Sequence, residues 1–164
     1  MCIRDRQIAW GKERGVPWGI SESGYFGFDA DQNYQYHAFG VPGLGLRRGL
    51  GDDMVVAPYA TVMALIVDPD AACNNLVTLE KNGAKGRYGF YEALDYTTAR
   101  LSRGQLYVII RSYMAHHQGM SFLALSHLLL DAPMVARFAE YPAFQSARLL
   151  LQERVPDAVE LYST

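Results

Sequence analysis

The 164-residue sequence is half hydrophobic and 20% charged, which is typical of one globular domain. Its net charge of −2 argues against a phosphate-binding surface, so we expect no nucleic-acid partner. Two cysteines, Cys2 and Cys73, are too few for a disulfide framework, and neither has the spacing of a metal site. The longest apolar run, residues 55–67, is interrupted by Pro58 and falls short of the roughly 20 residues of a membrane span.

The first third of the chain predicts the end of a helix followed by a long loop. The helix is expected to stop at Gly15, a residue type common just after helices. Residues 16–51 have no sustained period and contain Gly, Pro and aromatic residues throughout, so we expect a long ordered loop or several turns, of a kind that is usually functional. Residues 1–6 are expected to be foreign sequence or unstructured.

The remainder predicts a helix-rich domain. One helix is expected after a cap at Asp52 or Asp53, and another is expected to begin at Asp68 and Pro69 and to end near Gly83. Two segments, 87–96 and 107–110, are expected to be extended or looped. Further helices are predicted at residues 115–130, 131–141 and 142–154, the first of them buried on most sides because it is nearly all apolar. The predicted fold class is therefore mainly α, with aromatic loops between helices.

The first candidate site is a carboxylate between two aromatic residues. Glu22 lies in a Gly-flanked stretch, Pro-Trp-Gly-Ile-Ser-Glu-Ser-Gly-Tyr, between Trp18 and Tyr25. Sugar sites combine flat rings, which stack on C–H faces, with a carboxylate at the anomeric carbon. The alternative is structural, with Glu22 capping a helix and Trp18 in the core.

A second candidate site lies in residues 86–96. Glu92 is surrounded by aromatic residues, including Tyr88 and Tyr91, and Asp95 follows three positions later. Paired carboxylates beside aromatic rings again indicate glycoside chemistry. An equally good interpretation is that Glu92 pairs with Arg87 and that the rings pack as core.

The third candidate is the His116-His117-Gln118 run at the start of a predicted helix. Adjacent helical side chains point about 100° apart, so we expect that the two histidines cannot bind one metal ion. They are expected to donate hydrogen bonds to sugar hydroxyls or to the loops that hold the carboxylates. We predict no metal and no cofactor. We also expect Glu22, Glu92 and a histidine to line one concavity.

Four stretches in order resemble one family. They are residues 16–23, residues 34–46 with Tyr-Gln-Tyr and Phe-Gly-Val-Pro-Gly-Leu-Gly-Leu, residues 56–61 with Val-Ala-Pro-Tyr-Ala-Thr, and residues 86–96 together with Met-Ala-His-His-Gln-Gly-Met-Ser at 114–121. Together they resemble the glucoamylase-like middle region of cyclic β-1,2-glucan synthases over about residues 7–156. The resemblance implies part of an (α/α)6 toroid with long active-site loops, related to bacterial endo-β-1,2-glucanases. Residues 157–164 are expected to be a tail or the start of a linker.

The resemblance also implies an activity and residue roles. It implies a retaining transglycosylation that closes a linear β-1,2-glucan into a ring, with Glu22 as the nucleophile and an acid/base glutamate upstream of this chain. Glu92 would then belong to a glucan subsite, whereas the residues alone favour pairing Glu22 with Glu92 as catalysts, which stays open as the alternative. The substrate-binding residues are predicted to be Trp18, Ser21, Tyr25, Tyr36, Tyr88, Tyr91, Glu92, His116, His117 and Gln118.

The family further implies a setting for the chain. The parent protein would be a large, membrane-associated enzyme, with this domain on the cytoplasmic side of the inner membrane. Its partners would be the β-1,2-glucan and the rest of its own chain. An isolated part of a toroid would leave apolar helix faces unburied and is expected to be inactive. An inverting endo-β-1,2-glucanase-like hydrolase and a non-catalytic glucan-binding toroid are the alternative functions.

Overall fold

The computed structural model describes residues 3–45 and 49–147. Within these ranges the chain forms six α-helices: α1 (Ile3–Arg14), α2 (Pro58–Met63), α3 (Pro69–Lys81), α4 (Ala115–Leu129), α5 (Pro133–Ala139) and α6 (Pro142–Ala147). It forms seven short strands: β1 (Ser23–Phe28), β2 (Tyr34–His37), β3 (Val55–Val56), β4 (Lys85–Gly86), β5 (Gly89–Phe90), β6 (Ala93–Asp95) and β7 (Val108–Ile110). Together with two short 3₁₀ helices, Ala64–Ile66 and Thr98–Arg100, the helices account for about 46% of the described residues, in agreement with a mainly helical fold.

The strands form three small antiparallel sheets, of which the largest described has three strands in the order β3-β6-β7. The β1–β2 hairpin lies inside residues 16–51, so the prediction of a long loop or several turns, without strands, is wrong for residues 23–37. Local sequence gave little sign of the hairpin because part of its support is distant. The Phe26 N–H donates to the Asp95 carboxylate (3.0 Å), 69 positions away.

The main core lies on the three-stranded sheet. Val55, Val56, Leu94 and Ile110 from its three strands are fully buried, and Leu79 of α3 is buried in the same cluster. Fully burying a side chain of this size contributes about 1.5–3 kcal/mol. This sheet is therefore the buried base to which the flanking loops are attached.

Asp95 at the end of β6 joins several of these loops. Its carboxylate is fully buried and accepts hydrogen bonds from the Phe26 N–H, the Thr97 N–H (2.9 Å) and the Arg100 guanidinium (2.7 and 3.1 Å). Arg100 also pairs with Asp53. A buried carboxylate needs such partners because leaving it unpaired is strongly destabilising.

Of the two helices predicted from capping signals, one has the predicted cap and the other does not. The Asp68 carboxylate accepts from the Ala71 N–H at the start of α3, with Pro69 in the first turn, and Gly83 follows the helix with a φ of +78°, all as predicted. The predicted cap of α2 by Asp52 or Asp53 is wrong. That helix starts after Ala57 without a side-chain cap.

Helix α4 agrees with the prediction in position and disagrees in burial. Of its residues only His117 and Ala124 are buried, while Phe122 and Leu129 are each 71% exposed. An apolar groove of about 400 Å³ lies between α4 and α5 and includes Phe138. The expectation that α4 is buried on most sides is therefore wrong for these residues, and a broad apolar surface stays open.

The chain termini also bear on the predicted boundaries. Residues 3–6, expected to be foreign or unstructured, form the first turn of α1, and Arg4 pairs with Asp68. The predicted helix beyond residue 147 and the predicted tail at 157–164 lie outside the described residues. Across the described ranges no single helix has both the length and the apolarity to cross a membrane. Helices α4 and α5 meet these two criteria only when they are taken together, and the pair is bent by 91°.

Candidate active site

Side chains from α1, α2 and α3 hold the loop that carries Glu22. The amide of Gln7 donates to the Ile20 carbonyl (2.8 Å) and accepts from the Ile20 N–H (3.0 Å). The amide of Asn75 likewise donates to the Trp18 carbonyl (2.8 Å) and accepts from the Trp18 N–H (3.2 Å). Each of these amides replaces a backbone partner, so the loop is held without being part of a helix.

Gly19 makes this close approach possible. Its φ is +115°, and a Cβ at this position would lie 2.8 Å from the Thr61 hydroxyl and 3.3 Å from the Ala57 carbonyl. The Ala57 N–H donates to the Gly19 carbonyl at 2.9 Å. Any larger residue would both strain the backbone and push the loop off α2.

Tyr59 of α2 anchors the next two residues of the loop. Its hydroxyl is 2.8 Å from the Ser21 hydroxyl and donates to the Glu22 carbonyl at 3.1 Å. Burial is the main cause that raises the pKa of Tyr59 above its ordinary value, and the charges of Glu22 and Glu92 add to it. The Glu22 backbone is thus anchored while its side chain is exposed.

The Tyr36 hydroxyl lies close to both histidines and to Glu22. It is 3.4 Å from His116 Nε2 and 3.2 Å from His117 Nε2, and it interacts with the Glu22 side chain. Burial raises the pKa of Tyr36 well above its ordinary value, and the negative charges of Glu22 and Glu92 raise it further. The hydroxyl therefore keeps its proton and can donate it in a hydrogen bond near neutral pH.

Glu92 occupies a different environment from Glu22. Its side chain is buried, and its carboxylate accepts from the Gly24 N–H at 3.0 Å and lies 3.0 Å from His117 Nδ1. Among the described ion pairs, the basic partner of Glu92 is His117 and not Arg87, the predicted alternative. Direct binding of substrate by Glu92 stays a prediction.

The two histidines converge, contrary to the expectation from helical geometry. Glu22, His116 and His117 each offer one ligand atom, and these atoms lie within 4.8 Å of one another. The expectation failed because both rings turn toward the Tyr36 hydroxyl, with centroids 4.0 Å apart. Two imidazoles and a carboxylate are suitable ligands for Zn²⁺. The absence of a metal stays a prediction.

Tyr59 separates two pockets in this region. On one side, Trp18, Ser21 and Glu22 line a pocket of about 560 Å³. On the other, a pocket of about 280 Å³ is lined by Tyr91, Glu92, His117 and Gln118. Tyr59 lines both. The single concavity expected from the sequence is therefore divided, although Tyr36 and His117 link its two sides by hydrogen bonds.

The remaining predicted residues lie in three places. Tyr88 and Tyr91 meet through Tyr113, at centroid distances of 5.9 and 5.2 Å, and Tyr88 is 72% exposed. Tyr25 packs edge-on against Phe39 (5.7 Å) in the core region. The Gln118 amide donates to the Phe90 carbonyl at 3.4 Å. Binding of glucan by these residues stays a prediction.

Sequence reasoning missed two residues of this region, Tyr59 and Tyr113. Tyr59 was available as a candidate because it lies in the Val-Ala-Pro-Tyr-Ala-Thr stretch that carries the family resemblance. Tyr113 lies in no such stretch, and only the fold shows that its ring joins Tyr88 and Tyr91.

Comparison with known proteins identifies the family of the chain. The Glycoamylase family model, which describes glucoamylases, matches residues 4–132, and the chain belongs to this family. Over 154 residues the chain is 44% identical to the cyclic beta-(1,2)-glucan synthase NdvB of Rhizobium meliloti (strain 1021). That match covers 94% of this chain and 5% of the relative.

Solved structures with the same fold are more distant in sequence. The endo-beta-1,2-glucanase from Chitinophaga pinensis, in complex with sophorotriose and glucose, superposes with a TM-score of 0.57 at 21% identity. A structure from Bacteroides uniformis that carries a glucoamylase description has a TM-score of 0.59 at 23% identity. Each match covers 91% of this chain and 32% of the solved one, so the chain spans about a third of their length.

Proposed function

We propose that the chain forms part of a retaining transglycosylase active site that closes linear β-1,2-glucan into a ring. The observation that carries this proposal is Glu22, an exposed carboxylate on a loop anchored by three helices, beside Tyr36 and two imidazoles. Family membership and the names of the relatives, a β-1,2-glucan synthase and a β-1,2-glucanase, support the substrate class.

In the first step a Glu22 oxygen forms a bond to the anomeric carbon of a bound glucan. The glycosidic C–O bond breaks, and the leaving oxygen takes a proton from a general acid. We assign this acid to a part of the parent protein outside the chain. The other two candidate carboxylates, Glu92 and Asp95, support this assignment because both are buried and bonded to protein groups.

In the second step the O2 hydroxyl at the non-reducing end of the same glucan attacks the anomeric carbon. The bond to Glu22 breaks, and the hydroxyl proton returns to the deprotonated acid, so the ring closes with net retention. Trp18 and the Tyr88–Tyr91 group supply flat surfaces that can hold the two ends of the chain. Attack by water instead would give simple hydrolysis.

We place this site in a larger, membrane-associated protein, on the cytoplasmic side of the inner membrane. The support for a larger protein is that the chain spans only 5% of the related synthase. The exposed apolar surface of α4 and α5 also supports it, because an open apolar area of this breadth suits a fold that continues beyond the chain.

The test uses the intact parent protein with preformed linear β-1,2-glucan. Glu22→Gln should abolish ring formation because an amide is a far poorer nucleophile, whereas Glu80→Gln, which removes an exposed carboxylate paired with Lys85, should not. Azide added to Glu22→Ala should restore turnover and yield a glycosyl azide of inverted configuration. Retained turnover in Glu22→Gln would contradict the proposal.

Two further readouts separate the alternative functions. A first product with inverted anomeric configuration would indicate an inverting hydrolase. Binding of glucan by the unmodified protein without any turnover would indicate a non-catalytic glucan-binding toroid.

A further inference from the structure

Glu92 is fully engaged by protein groups. Its side chain and that of His117 are each 1% exposed. The carboxylate accepts from the Gly24 N–H (3.0 Å) on one side and lies 3.0 Å from His117 Nδ1 on the other. Gly24 allows this approach, since a Cβ there would lie 3.3 Å from Glu92 Cγ. The carboxylate thus meets strand β1 on one side and an imidazole on the other.

The Glu92 contact determines which His117 nitrogen carries a proton. An ionised carboxylate only accepts hydrogen bonds, so His117 Nδ1 must be the N–H that donates to it. His117 Nε2, on the opposite side of the ring, then faces the Tyr36 hydroxyl at 3.2 Å. With the proton held on Nδ1, this nitrogen accepts a hydrogen bond.

Tyr36 has one hydroxyl proton and more than one acceptor. His117 Nε2, 3.2 Å away, competes with the Glu22 carboxylate for that proton, and Glu22 lies in the same cluster, with its ligand atom within 4.8 Å of those of His116 and His117. The Glu92 contact, which leaves Nε2 as an acceptor, therefore influences whether Glu22 receives the Tyr36 hydrogen bond.

Packing keeps the His117 ring in place for this role. The ring stacks on Tyr59 with centroids 3.7 Å apart and planes 11° apart. The titratable or charged groups that face His117 are Glu92 from the β5–β6 connection, Tyr36 from β2, Tyr59 from α2, and His116 and Glu22 at its Nε2 side. A ring fixed in this way keeps its Nε2 directed at the Tyr36 hydroxyl.

We infer that Glu92 is a positioning residue that acts through His117 and Tyr36 to set the hydrogen bonding of the Glu22 carboxylate. The inference rests on the proposed role of Glu22 as nucleophile. A carboxylate without the Tyr36 hydrogen bond is the better nucleophile for the first step. A carboxylate that receives it is the better leaving group for the second. Exchange of one proton between two acceptors would thus serve both steps.

A spectroscopic test examines the tautomer in the intact protein with ¹⁵N-labelled histidine. Difference spectra against His117→Gln identify the His117 nitrogens, which should show the Nδ1–H tautomer. Glu92→Gln offers an amide that can donate, so this signature should be lost, and Glu92→Asp should restore part of it. Glu80→Gln, which removes an exposed carboxylate, is the matched control and should leave the spectrum unchanged. An Nε2–H tautomer in the unmodified protein would overturn the inference.

A kinetic test examines whether Glu92 acts through Tyr36. Glu92→Gln should lower kcat by about 10–100-fold with little change in KM, and Glu92→Asp should recover part of the loss. Tyr36→Phe keeps the ring of a residue that is 41% exposed, so the variant should fold, and it should lower kcat similarly. Combining Glu92→Gln with Tyr36→Phe should cost little more than either alone.

The outcomes separate this inference from the proposed function. Additive losses in the double variant, or a Glu92→Gln protein that raises KM with kcat intact, would overturn the positioning role and favour direct substrate binding by Glu92. Failure of the proposed function would give a different result, namely turnover that is retained in Glu22→Gln. That result would overturn the inference as well, because the inference rests on Glu22 as the nucleophile.

Discussion

The imidazole of His117 stacks on the phenol ring of Tyr59, with centroids 3.7 Å apart and planes 11° apart. Tyr59 belongs to α2 and His117 to α4, two helices that are far apart in sequence and in contact in the fold. The Tyr59 hydroxyl reaches the Ser21–Glu22 loop, while His117 reaches Glu92. One aromatic pair therefore connects the environments of both glutamates.

Tyr59→Phe should uncouple the loop from this pair. The ring stack is kept, but the hydrogen bonds to Ser21 and Glu22 are lost, so we expect a drop of about 1 kcal/mol in the free energy of unfolding. Less accurate placement of Glu22 should lower kcat by about tenfold or more. Steady-state kinetics and thermal melts measure both effects. Tyr141→Phe, at a 62% exposed side chain, is the control, and equal effects in the two variants would contradict the anchoring role.

Two glycine substitutions should have opposite effects on stability. Gly19→Ala places a Cβ 2.8 Å from the Thr61 hydroxyl at a φ of +115° and should destabilise the protein by about 1–3 kcal/mol. Gly119→Ala lies inside α4 with open space around the new Cβ and should stabilise by about 0.5–1 kcal/mol. Denaturant unfolding measures both. A Gly19→Ala protein as stable as the parent would show that the loop can adopt another backbone path.

Tyr96 should contribute to loss of stability at alkaline pH. Burial raises its pKa from 10.0 to about 12, with the Asn82 hydrogen bond opposing the shift. Because the folded pKa is the higher one, this contribution is complete below pH 10 and is lost as pH rises toward 12. The loss is about 3 kcal/mol at most. Unfolding measured between pH 9 and 12 should show a shallower decline in Tyr96→Phe, and an unchanged slope would contradict the assignment.

Turnover of preformed glucan should not depend on a metal ion. Glu22, His116 and His117 could hold a cation, but the proposed mechanism needs the Glu22 carboxylate free to attack carbon. We therefore expect chelator treatment to leave ring formation unchanged and added Zn²⁺ to inhibit it. Ring formation that is lost with a chelator and restored by Zn²⁺ would contradict this prediction.

Helices were predictable where the signal is local. Asp68, Pro69 and Gly83 mark the ends of α3 by capping and by left-handed backbone, effects that involve residues only a few positions apart. The β1–β2 hairpin was not predictable in this way, because Asp95 satisfies the Phe26 N–H from a distant part of the chain. Burial of α4 was overestimated, since composition alone does not show which helix faces have neighbours.

The same distinction between local and distant signals applies to the candidate site. Sequence pattern and family resemblance by themselves predicted the residue types of a sugar site, with Glu22 on a loop between Trp18 and Tyr25, because those signals lie within a few positions of one another. Only the tertiary structure decided that Glu22 is exposed and Glu92 buried, and that His116 and His117 both face Tyr36. The reason is physical: burial and hydrogen-bond partners depend on which distant segments pack together, and the contacts Gly24–Glu92 and Tyr59–His117 join residues 68 and 58 positions apart.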